Sequence, residues 1–139
     1  MAEFHHLLVA IASENDALAT AASLKAHFGV PERVTVVHVV EKAGGAVDKA
    51  GVEQREEAAE EGFEAFRNAL EEATVDTEIV YATDVADGIL EAAREVDADA
   101  VAFAPRGGGL FERLLTGDVT HHLIDRADRP VIALPAGDR

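Results

Sequence analysis

The sequence predicts an α/β fold: a doubly wound, five-stranded parallel sheet with helices on both faces, Rossmann-like, in a single domain spanning residues 1–139. Three observations predict it. Short apolar or β-branched runs alternate with helix-period segments along the chain, in the order β-α-β-α-β-α-β-α-β. The first of these runs is almost continuously apolar (Leu7, Leu8, Val9, Ala10, Ile11, Ala12), as a strand covered on both faces is. Right-handed crossovers then place a helix after each strand and keep the strands parallel. At 139 residues the chain has the length of one ordinary domain, and it shows no internal repeat or interdomain linker.

The first strand is expected over Phe4–Ala12. Ser13, Asn15 or Asp16 is placed to cap a helix that carries Ala17, Ala21, Leu24 and Phe28 at helical spacing and stops at Gly29, with Pro31 beyond. Val34–Val40 is β-branched and reads as the second strand. Lys42–Gly51, with Gly44, Gly45 and Gly51 and no period, reads as a mobile connection. The longest helix is expected from about Val52 to Ala73, with Ala59, Phe63, Phe66, Leu70 and Ala73 on one face and glutamates crowding the rest as a solvated surface. Thr77–Ala82 reads as the third strand. Asp84–Val96 reads as a helix capped by Asp84 or Asp87, with Ile89, Ala93 and Val96 inward. Ala100–Ala104 is a short fourth strand, a last helix follows from about Asp118 to Ala127, and Pro130–Leu134 is the fifth strand.

In such sheets the ligand crevice lies at the carboxyl ends of the strands, where the connections diverge to opposite faces. Here that point is expected between the first and fourth strands, lined by Ala12–Asn15 and Ala104–Asp118. The second of these segments holds Gly107, Gly108, Gly109 and Gly117 and leads into a helix, an arrangement suited to cradling an anion on backbone N–H groups. Arg106 is a candidate phosphate grip, or a solvated or acid-paired loop residue. Asp118 opens the helix where a phosphate would sit; it serves either as a cap or, through a divalent cation, as a ligand. His121 and His122 follow Asp118 at helical spacing and offer two further donors, although exposed helix histidines are commoner. His38 reads as a hydrogen-bonded core residue. No Ser–His–acid, HExxH or Walker A pattern occurs, and the chain has no Cys, which removes disulfides, thiolate metal sites and thiol nucleophiles.

Several stretches occur together in one order: the opening Leu-Leu-Val-Ala-Ile strand, the Val-Val-His-Val second strand, and Asp97-Ala98-Asp99 before the fourth strand. Then come Arg106-Gly107, Gly109-Leu110, Arg113-Leu114-Leu115-Thr116-Gly117, Val119, and Ala127-Asp128-Arg129-Pro130-Val131. Over essentially the whole chain this resembles the universal stress protein family. The resemblance implies an adenine nucleotide alpha hydrolase-like variant of the same fold, and a homodimer joined through the last strand. Family members that bind ATP or AMP carry a Gly-x2-Gly-x9-Gly-(Ser/Thr) loop, an Asp at the end of the first strand, and an apolar base contact from the second strand. Carried over by residue, Gly107 and Gly117 match the second and third glycines, Val119 and Thr120 align with the residues after the phosphate-binding hydroxyl, and Val39 takes the base-contact position. Ala104, Asp118 and Ala12 replace the first glycine, the Ser/Thr and the Asp. The implied function is a non-catalytic regulatory or stress-response module with weak or absent ATP binding and an unidentified protein partner. The alternative is an ATP/AMP sensor using Gly107 and Gly117 with a metal, such as Mg2+, at Asp118. A hydrolase acting on nucleotides is the least supported reading.

The formal net charge is −15, with Lys confined to Lys25, Lys42 and Lys49 and the other nine basic residues Arg. Such a surface disfavours nucleic acid and anionic membranes. No apolar run approaches the roughly 18 residues of a membrane span, and Met1–Ala12 lacks the pattern of a signal peptide, so a cytoplasmic location is expected. The excess of acid over Lys resembles proteins of salt-loving organisms, in which salt screens self-repulsion. Melting temperature should therefore rise with salt as the Debye length contracts from about 30 Å at 0.01 M to about 3 Å at 1 M. A flat thermal-melting response between about 0.1 and 2 M salt would contradict the halophilic reading.

Overall fold

The computed structural model describes residues 4–11, 14–41, 49–103 and 118–134. One parallel sheet holds β1 (His6–Ala10), β2 (Arg33–Glu41), β3 (Thr74–Ala82), β4 (Ala100–Phe103) and β5 (Val131–Ala133). Their spatial order is β3-β2-β1-β4-β5. Helices α1 (Glu14–Ser23), α2 (Lys49–Ala69), α3 (Val85–Val96) and α4 (Asp118–Arg126) complete the alternation read from the sequence. α1 packs on α2 and α3 packs on α4, which gives a helical layer on each side of the sheet. The connections run one way from β1 to β2 and β3 and the other way to β4 and β5, so the reversal falls between β1 and β4 as expected. Among the described residues no helix is long and apolar enough to cross a membrane.

The core forms on both faces of β1. Leu7, Leu8 and Val9 are fully buried, and each aliphatic side chain so removed from water contributes about 1.5–3 kcal/mol. Of the face predicted for the longest helix, Ala59, Phe63 and Phe66 on α2 and Leu70 just beyond its end are buried, and Ala73 is partly buried. On α3, Gly88 marks a close helix–sheet approach: a Cβ there would lie 2.9 Å from Ala82 Cβ and 3.7 Å from Val39 Cγ1. α1 does not end directly at Gly29. It passes into a π-helical turn, Leu24–Phe28, closed by the Gly29 N–H donating to the Leu24 carbonyl at 2.8 Å. Gly29 has φ +105°, a conformation that side-chain-bearing residues rarely adopt. The turn leaves Phe28 half-buried and stacked on Phe4, with ring centroids 5.5 Å apart.

Most boundaries shift by one or two residues from the sequence expectation, and three in α2 and β3 shift further. α2 begins at Lys49, so residues 49–51 are helical and not part of the connection; residues 42–48 lie outside the described residues. The same helix ends at Ala69, where Lys25 Nζ donates to its last carbonyl at 3.2 Å. β3 starts at Thr74, three residues early, because the Thr74 N–H donates to Glu32 O and Arg33 pairs with Asp76 at 2.8 Å. Tertiary pairing there recruits polar residues that carry little strand signal of their own.

The amino end of the sheet is locked by the Asp97-Ala98-Asp99 and Asp128-Arg129 segments. Asp97 closes α3 in the left-handed conformation (φ 57°), its N–H donating to the Ala93 and Arg94 carbonyls. Arg129 then donates to the carbonyls of Ala93 and Ala98 at 3.2 and 2.7 Å while its guanidinium holds Asp128. Asp99 accepts from the backbone N–H groups of His6 and His5, at 2.9 and 2.7 Å, which fixes the lead-in to β4 against the start of β1.

Those N–H donors from His6 and His5 hold the Asp99 carboxyl below the usual carboxylate range. Its contribution is therefore present above the unfolded-state pKa and lost as pH falls. Asp99→Ala should cost about 1 kcal/mol in urea unfolding at pH 7, with the gap to the native chain closing below about pH 4. An equal gap at both pH values would show that the carboxylate is not the source.

Candidate functional site

The reversal in the sheet order sets the candidate site at the carboxyl ends of β1 and β4. β1 reaches this edge through Ile11, whose N–H continues the ladder by donating to the Val37 carbonyl at 3.0 Å. β4 reaches it through Phe103, whose carbonyl accepts from the Leu134 N–H at 2.7 Å. Ile11, Val39, Val40, Phe103 and Leu134 are all buried, so the described base of the crevice is apolar. Val39, the residue singled out for a base contact, lies near the carboxyl end of β2 and faces the α3 layer.

α4 begins at Asp118, and Val119 and Thr120 lie in its first turn, as read from the sequence. The first-turn N–H groups of an α-helix have no intrahelical acceptor and carry its positive dipole end, so this terminus suits an anion. Arg106, Gly107 and Gly117 lie outside the described residues, together with Ala12 and Ala104. The side chains of Asp118, Val119 and Thr120 also lie outside them.

What orients α4 is a charged seam with α3 that the sequence reading did not identify. Asp84 caps α3 by accepting from the Asp87 N–H at 3.0 Å. Arg126 reaches across to Asp87 at 2.6 Å and to Asp84 at 3.8 Å, and His122 Nδ1 lies 4.0 Å from Asp84. Leu123, fully buried, anchors the same helix from below. The sequence signal was faint: a capping Asp on one helix and an Arg in the last turn of another. His121 pairs instead with Asp125 on its own helix at 3.8 Å. The two imidazoles, 6.4 Å apart, thus have different carboxylate neighbours. Among the described residues no group of three or more His, Asp or Glu side chains is placed to hold a metal ion.

His38 is buried on β2, one strand over from Ile11, and its Nδ1 has no hydrogen-bond partner among the described residues. Burial lowers its pKa, and Arg55 adds to this; a hydrogen bond to the Ile11 main chain works in the opposite direction. His6, bonded to Thr35 at 2.7 Å, is lowered chiefly by burial too. A histidine lowered in the folded state binds its proton more readily when unfolded, so its stabilising share is present above about pH 6.5 and lost below it. The denaturation midpoint should therefore fall between pH 7.5 and pH 5.5 at fixed salt, and His38→Leu should lessen the fall. An unchanged pH response in that variant would remove His38 from the account.

Comparison with known proteins identifies relatives for this fold. A sequence profile of the universal stress protein family matches residues 3–135. A universal stress protein from Archaeoglobus fulgidus is 24% identical, with a TM-score of 0.64 over 93% of this chain and 92% of that one. A structure of the universal stress protein from Archaeoglobus fulgidus in complex with dAMP is 21% identical, with a TM-score of 0.63 over 92% and 95%. A universal stress protein from Lactobacillus plantarum is 20% identical, with a TM-score of 0.66 over 96% and 99%. Comparison with curated protein sequences gives no match.

Proposed function

Because the chain belongs to the universal stress protein family, we propose that it acts as a non-catalytic, cytoplasmic regulatory module of the stress-response type, with weak or absent ATP binding. The observation that carries this reading is the replacement of ligand-contacting positions at a crevice whose place in the fold is otherwise retained. Asp118 opens α4 where the family's nucleotide binders carry a phosphate-binding hydroxyl, and Ala12 follows β1 where they carry an Asp. Two unit charges about 4 Å apart at an effective dielectric near 20 interact by about 4 kcal/mol, so an ionised Asp118 opposes a phosphate by much of a micromolar affinity.

A second reading, an ATP or AMP sensor, draws support from the relative solved with dAMP and from buried Val39 near the carboxyl edge. On that reading Asp118 would hold a Mg2+ ion whose charge would offset that of the phosphates, and Arg106, Gly107 and Gly117 would contact the anion. Either module pairs through β5, an edge strand flanked by Pro130, on which Val131 and Ile132 are only partly covered. A halophilic source accords with the charge of −15.

Calorimetric titration separates the readings. The native chain should bind ATP weakly without divalent metal, and Asp118→Ser combined with Ala12→Asp should tighten binding by at least about tenfold, because a negative charge leaves the helix start and a hydroxyl donor returns. Tight metal-free binding by the native chain contradicts the proposal. Binding that appears only with Mg2+ and disappears in Asp118→Ala selects the sensor.

A further inference from the structure

β3 is an edge strand of nine residues, paired with β2 in unbroken register from Thr74 to Ala82. Among the described residues no strand pairs with its other side. Alternate residues of a parallel strand aim N–H and C=O groups away from the paired neighbour, so the outer edge presents a row of free donors and acceptors. Proteins usually blunt such edges by shortening them, bulging them or placing Lys or Pro on them. β5, at the opposite edge, is three residues long and follows Pro130. β3 contains neither Lys nor Pro and its register has no bulge.

Two grooves open beside the second half of this edge, one against each helical layer. On the α2 side Ile79 and Tyr81 lie beside five glutamates between Glu53 and Glu61. On the α3 side Val80 and Ala82 lie beside Glu78, Glu91 and Glu95. Among the described residues no Lys, Arg or His lines either groove. Burial, and then the neighbouring Glu95, pushes the Glu78 carboxyl up. Tyr81, about half exposed, donates its hydroxyl to Glu56, which stations an aromatic face at the edge.

An added strand sends successive side chains over the two faces in turn, so every residue of an occupant beside this segment meets an acidic rim. A second copy of the chain would bring the same carboxylates with it and be repelled. We propose that the outer edge of β3 is a docking edge for an extended, basic peptide segment of a partner protein, which adds to the sheet as a sixth strand. Backbone pairing supplies the affinity, Lys or Arg on both faces supplies selectivity, and small apolar residues between them rest against Ile79 and Val80. The nucleotide crevice takes no part in it.

The test uses the full chain and a labelled peptide of about eight residues built from Val, Thr, Lys and Arg, with a second peptide of the same sequence N-methylated on alternate residues. Anisotropy should show saturable binding of the first peptide at 0.5 M salt and at least about tenfold weaker binding of the second, which keeps the charge but not the strand edge. Amide exchange should gain protection within residues 74–82. Glu78→Gln with Glu91→Gln and Glu95→Gln should weaken binding, whereas Glu14→Gln with Asp97→Asn and Asp125→Asn, equal in charge change but outside β3 and both grooves, should not. Equal binding of the two peptides, equal loss in the two triple variants, or protection confined to other elements would each overturn the proposal. So would sedimentation showing a dimer whose formation already protects β3 without peptide.

Discussion

β1 sits at the centre of the sheet, hydrogen-bonded to β2 on one side and β4 on the other, with helices over both faces. Such a strand has no solvent side on which to place a polar residue, and Leu7 to Ile11 carry none. This constraint organises the rest. Two strands must lie on each side of β1, and the crossovers that deliver them must diverge. The divergence opens a crevice at the carboxyl ends of β1 and β4, and the position of the candidate site follows from the burial of one strand.

The two ends of the sheet are built differently. At the amino end the backbone is tied down by charged side chains: Asp99 on the N–H groups of His5 and His6, and Arg129 on the carbonyls of Ala93 and Ala98. Charge-assisted bonds of this kind fix geometry at a place where the chain must turn sharply. At the carboxyl end the described base is apolar, from Ile11, Val39 and Phe103, and the polar groups lie on the overlying helices. Arg126 and His122 set α4 against α3 through Asp84 and Asp87. An apolar base below a helix start is the division of labour expected of a small-molecule crevice, and the family membership accords with it.

Much of this was legible in the residues because the strongest signals are periodic. The continuous run Leu7–Ile11, the β-branched Val34–Val40 and the Ala59, Phe63, Phe66, Leu70 stripe each bury as their spacing implies. Boundaries were less legible where a partner far along the chain decides them: Thr74–Asp76 become strand through Glu32 and Arg33, and Lys25 marks the end of α2. The family motif at Asp97-Ala98-Asp99 and Asp128-Arg129 could be recognised as a pattern, but its role as the lock on the amino end depends on contacts across the chain. At the site, α4 starts at Asp118 as read and Val39 lies near the carboxyl end of β2, while Arg106, Gly107 and Gly117 fall outside the described residues. The acidic seam and the long β3 edge were missed because glutamates and aspartates are so frequent here that none stands out by composition.

On the proposed reading, Asp118 and Ala12 weaken the hold on nucleotides of the crevice between β1 and β4. Mass spectrometry of small molecules released from the freshly purified native protein tests it most directly, since it lets the cell's own metabolites compete for the crevice. The account predicts no adenine nucleotide near one equivalent per chain. Stoichiometric ATP or AMP released from the protein would contradict it.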